Sequence, residues 1–93
     1  MKNHDLEIIY EQLKDKYDLV LTNSFARDVR YTIDFPILCG ASSLGEFEFY
    51  HDGAMFVLSI DKTDGSSTHC HPLDTSAAIE DISDFMDGTA DWV

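Results

Sequence analysis

Between Glu46 and Asp61 the chain reads Glu-Phe-Glu-Phe-Tyr-His-Asp-Gly-Ala-Met-Phe-Val-Leu-Ser-Ile-Asp, two alternating runs around Asp52-Gly53. No other stretch limits the fold so strongly. Asp-Gly suits a two-residue hairpin turn whose central residues need positive φ, so strands are expected over 46–51 and 54–61. With Asp52 and Gly53 as the loop, Phe49 faces Phe56 and Phe47 faces Leu58. The two-residue period of a strand puts these four and Ile60 on one face. Glu46, Glu48, Tyr50, Met55, Val57 and Ser59 then share the other. The first face is a core face. The second mixes acid with apolar groups, as a protein interface does, unless a helix or the loop over 36–45 covers it.

The flanking segments follow from this hairpin. A second one is expected at Asp64-Gly65, with a strand over 67–71. The same two-residue turn sets Ile60 opposite His69 and Leu58 opposite His71, with Cys70 beside Ser59, and a bulge or longer loop would exchange these faces. Upstream, 19–25 and the alternating run 29–35 read as strands. Pro36 then opens a small-residue connection through Ile37-Leu38-Cys39-Gly40 to Gly45.

Residues 3–17 place Leu6, Ile9, Tyr10, Leu13 and Tyr17 on one helical stripe, with Asn3 as N-cap and Ile8 outside it. Residues 75–87, capped by Asp74 or Thr75 and stopped at Gly88, bury Ala78, Ile79, Ile82, Phe85 and Met86. The tail 88–93 frays or folds back. The order predicts one α+β domain over 1–93. An N-terminal helix, an antiparallel sheet of about four to five strands in meander order and a C-terminal helix form a two-layer sandwich, both helices on one face.

Charge narrows the partners. Eighteen acidic residues against six basic give a formal charge of −12, which disfavours nucleic acid and anionic membranes and favours a basic surface. The asymmetry is sharpest after Lys62: Asp64, Asp74, Glu80, Asp81, Asp84, Asp87 and Asp91 follow without one Lys or Arg. Glu80, Asp84 and Asp87 are spaced to share a helix stripe, where like charges repel and oppose the C-terminal end of the helix dipole. A stripe that weakens its own helix points to a docking face. Asp91 and Trp92 beside it offer an anchor, since Trp is enriched at binding hot spots. The absence of an apolar leader after Met1 and the two cysteines, too few for a disulfide framework, suggest a cytoplasmic protein with reduced thiols.

Chemistry has less to work with. His51, His69, His71 and Cys39 are the candidate metal ligands, but the spacings of a structural zinc site are missing. Cys70 stands between two histidines, yet neighbouring strand residues point to opposite faces, which separates a thiol from its base. The glycines match no phosphate-binding pattern, and no cofactor is implied. The expectation is a non-enzymatic, acidic protein-binding module engaging a basic protein through Glu80, Asp84, Asp87, Asp91, Trp92, Glu46, Glu48 and Tyr50. An inhibitor of immunity-protein or antitoxin type is its concrete form. The alternatives are a metal- or small-ligand-binding domain using the His/Cys cluster and a homodimer paired through the open sheet face.

Overall fold

The computed structural model describes residues 2–22 and 36–93. Its elements are α1 (Lys2–Leu13), β1 (Val20–Thr22), β2 (Ile37–Ser42), β3 (Gly45–His51), β4 (Phe56–Lys62), β5 (Ser67–Cys70) and α2 (Thr75–Met86). The strands form a five-stranded antiparallel sheet in the order β1-β2-β3-β4-β5, the expected α+β meander. Leu6, Ile9 and Leu13 of α1 and Ala78, Ile82 and Phe85 of α2 enter one core with Phe47, Phe49, Leu58 and Ile60. Both helices therefore cover the same sheet face. Among the described residues no helix is long and apolar enough to cross a membrane.

The central hairpin keeps its faces but not its turn. Phe49 pairs with Leu58 and Phe47 with Ile60, two residues along from the expected register. Asp52 is the reason. Its Oδ1 accepts from the N–H groups of Ala54 and Met55, both at 2.9 Å, and its own N–H donates to the Met55 carbonyl at 3.1 Å. Those bonds close a loop over 52–55, so β4 begins at Phe56 rather than at 54. No non-glycine residue has positive φ among those described, which excludes the tight turn that needs it at Asp52. A slip of two leaves every side chain on its own face.

The second hairpin slips by one residue, and its faces exchange. Leu58 pairs with Cys70, Ser59 with His69 and Ile60 with Thr68. Lys62 and Ser66 close a three-residue loop, with Gly65 at φ 91° donating to the Lys62 carbonyl. Asp64 accepts from the Ser66 N–H and hydroxyl at 2.9 and 2.6 Å, which favours this loop over the two-residue turn. Cys70 consequently faces the core, and His69 the far side of the sheet.

The segment 37–42, expected as a connection, is strand β2. Pro36 precedes its first ladder position and removes no hydrogen bond from it. Gly40 is required inside it because a Cβ there would strike the Phe47 ring and Leu19. Ser43-Leu44 turns the chain, the Leu44 N–H donating to Ser42 Oγ at 3.1 Å. The strand expected over 29–35, and residues 23–25 of the first, lie outside the described residues.

The helices keep their stripes. In α1, Leu6, Ile9 and Leu13 are buried and Ile8 is exposed, but the helix starts at Lys2, so Asn3 lies inside it and not at its cap. It ends at Leu13, and Tyr17 reaches the core edge from the turn that follows. Asp74 caps α2, accepting from the Ala77 N–H at 2.8 Å. The far end closes as a Schellman motif, with Thr89 N–H bonded to Asp84 O and Gly88 N–H to Phe85 O. The tail folds back, with Ala90 buried and Trp92 packed on the core.

Two substitutions test these devices. Gly45 sits at φ 140°, and a Cβ on it would collide with the Asp61 carbonyl. Gly45→Ala is expected to lower the unfolding free energy by more than about 1 kcal/mol. Asp74→Ala should lower it by about 1 kcal/mol, while Asp74→Asn, which keeps the cap acceptor, stays near the parent. Urea denaturation of the three variants measures both.

Candidate functional site

The strand register sorts the sheet face away from the helices into rows. One row holds Ala41, Glu46, Asp61 and Ser67, and the next Val20, Cys39, Glu48, Ser59 and His69. A third holds Ile37, Tyr50 and Val57. The third row is largely closed, with Ile37 2% and Val57 8% exposed. The first two are open: Ala41, Glu46, Asp61 and His69 are exposed, and Val20 is 55% exposed.

A shallow depression of about 270 Å³ lies over these open rows. Four carboxylates surround it, from Asp18, Glu46, Glu48 and Asp61, with Val20, Cys39 and Ala41 between them. Glu46 and Asp61 stand directly opposite each other across the ladder, an arrangement in which like charges repel. Among the described residues no Lys or Arg occupies a register position in these rows. The result is an apolar floor with an anionic rim.

The expected binding residues separate into two groups. Glu46, Glu48 and Tyr50 share the face just described. Glu80, Asp84 and Asp87 belong to the helix layer on the opposite side of the sheet, so the two sets cannot meet one compact partner surface. Asp87 also has an internal task, accepting from the Tyr17 hydroxyl at 2.7 Å and tying the end of α2 to the turn after α1. Asp81, beside the stripe, is half-buried, and burial followed by the Glu80 and Asp84 charges raises its carboxyl. Asp91 is exposed, whereas Trp92 packs against the core with its Nε1 buried and without a hydrogen-bond partner. Trp92 is therefore part of the core's edge and not a projecting anchor.

Asp18, Val20, Ala41 and Asp61 were not among the residues anticipated. Asp61 continues the alternation after Ser59 and could have been found from it. Asp18 and Val20 reach the face only through the pairing of β1 with β2, which a loop over 36–45 conceals.

The histidines and cysteines do not assemble. His51 Nδ1 accepts from the Gly53 N–H at 3.0 Å. His71 Nδ1 lies 3.0 Å from the Phe56 carbonyl, which can only accept, so that nitrogen carries the proton. His69 and His71 stack edge to face at 5.3 Å. Among the described residues no group of three or more His, Cys, Asp and Glu side chains has the placement to hold a metal ion. Cys39 faces the acidic depression and Cys70 the core, three strand spacings apart, or about 14 Å. That exceeds disulfide reach. Burial, then Asp81, pushes the Cys70 thiol up to about 11, the wrong direction for a nucleophile.

Alkylation of Cys70 in a Cys39→Ser variant should therefore be far slower at pH 8 than that of a free thiol, rising only as pH approaches 11. Mass-spectrometric rates across pH measure this. Tyr17 gives a second pH signature, because burial, then the bond to Asp87, raises its hydroxyl. A group with a raised folded pKa contributes stability below its unfolded value and loses it as pH rises through the folded one. The parent should lose thermal stability above about pH 10 more steeply than Tyr17→Phe, read as melting temperature against pH.

Set against known proteins, the chain matches no protein-family model, no curated protein and no solved structure, so a functional reading rests on the geometry of this face and on its charges.

Proposed function

We propose that the chain is a non-enzymatic protein-binding module whose acidic sheet face engages a basic surface of another protein. The observation that carries this reading is the gathering of Asp18, Glu46, Glu48 and Asp61 around a partly apolar depression. Charges so placed steer a basic partner into encounter and repel acidic competitors. The exposed Val20 supplies apolar contact where charge alone gives little affinity. A stoichiometric inhibitor that masks a basic catalytic or nucleic-acid-binding surface is the concrete form of this reading. A second copy of the chain is a poor occupant, because a two-fold interface would set the same carboxylates against each other.

The test uses the full chain as bait in native lysate, followed by association kinetics with the recovered partner at low and moderate salt. Association should slow as salt rises, and Glu46→Lys with Asp61→Lys should slow it roughly tenfold or more. Glu80→Lys, in the helix layer, should change it little. Unchanged association in the sheet-face double variant, with loss in the helix variant, would assign docking to α2 instead.

A further inference from the structure

A second concavity opens where the β3–β4 loop meets the segment joining β5 to α2. It measures about 470 Å³ and is walled by His51, Met55 and Phe56 on one side and His71, Pro72 and Leu73 on the other. Leu73 is 94% exposed and Met55 45% exposed. A single exposed leucine needs no explanation. Two large apolar side chains lining one groove are what a binding site requires.

One wall is fixed by hydrogen bonds, and a further bond ties it to the other. Asp52 holds the Ala54 and Met55 N–H groups, and His51 Nδ1 holds that of Gly53. Just past the other wall Asp74 caps α2 by holding the Ala77 N–H. His71 bonds across to the Phe56 carbonyl and joins the two. The groove is thus formed before anything enters it, which lowers the ordering cost of binding.

Charge selects the occupant. Among the described residues those lining the groove include no Lys or Arg, and the exposed Asp52 and Asp74 are the chain neighbours of the lining residues Gly53 and Leu73. The N–H donors from Ala54 and Met55 hold the Asp52 carboxyl below the usual carboxylate range, so it stays ionised. A second copy would bring these same carboxylates to the contact.

We propose that this groove receives a segment of a partner protein in which one large apolar side chain, leucine or aromatic, is flanked by Lys or Arg. The apolar side chain lies against Met55 and Leu73, and the flanking cations meet Asp52 and Asp74. The surface is separate from the acidic sheet face and does not depend on it.

The experiment is an NMR titration of the isotope-labelled full chain with three probe peptides: Lys-Lys-Leu-Trp-Lys-Lys, Glu-Glu-Leu-Trp-Glu-Glu and Lys-Lys-Ser-Ser-Lys-Lys. The first should shift the Ala54, Met55 and Leu73 amides saturably, and the other two should not. Leu73→Ser should leave the melting temperature unchanged and weaken binding roughly tenfold or more. Asp52→Asn with Asp74→Asn, which keeps the loop and cap acceptors, should weaken it several-fold. Equal binding of the acidic probe, unaltered affinity in Leu73→Ser, or shifts at the groove that depend on chain concentration without peptide would each overturn the proposal. Shifts confined to Val20, Glu46 and Asp61 would overturn it too, while leaving the sheet-face reading intact.

Discussion

Phe47 is where the two layers of the molecule meet. Its ring lies edge-on to Phe85 of α2 at 5.6 Å, and it reaches the sheet backbone at Gly40 because no side chain stands there. Its ladder partner is Ile60, and both are buried with Leu6, Ile9 and Ile82. Aromatic side chains each bury roughly 150–250 Å², so one well-placed ring is a large share of so small a core. The helix positions, the glycine in β2 and the apolar alternation of β3 all answer to this one contact region. Phe49, stacked on Phe56 at 5.3 Å, extends it toward the β3–β4 loop.

Much of this arrangement was legible in the residues, for a physical reason that also marks where legibility stops. The alternation of Phe47, Phe49, Phe56, Leu58 and Ile60 defines a face irrespective of the turn, because a slip of two positions changes partners but not sides. The second hairpin has no comparable apolar alternation. Thr68, Cys70, His69 and His71 suit either side, so the loop decides, and Asp64 and Ser66 decide it through short polar contacts that spacing does not reveal. Strand β2 was hidden for a different reason. Pro36, Gly40 and Gly45 resemble loop punctuation, yet each sits where strand structure tolerates or requires it.

The candidate surfaces follow the same division. Glu46 and Glu48 could be placed on one face from their own strand. Their gathering with Asp18 and Asp61 needed the neighbouring strands in register, and the β1–β2 pairing was out of view. Glu80, Asp84 and Asp87 are spaced as a stripe along α2 and its cap, but Asp87 is bound to Tyr17. Charge pattern alone does not distinguish a group that meets a partner from one that holds a turn. Of the acid that surrounds the depression, Glu46, Glu48 and Asp61 stand on β3 and β4 and Asp18 lies just before β1, so the strand register sets most of its geometry.

Cys39 and Cys70 share one sheet yet look out from opposite sides of it, separated by β3 and β4. No bridge can form between them while the sheet is intact, and the packing that holds Cys70 on the core does not require one. The fold consequently has no internal disulfide couple between these two residues. An oxidising medium cannot lock the sheet by joining these two thiols, and a reducing one has no bond between them to release, so the strand order is held by packing and ladder hydrogen bonds alone.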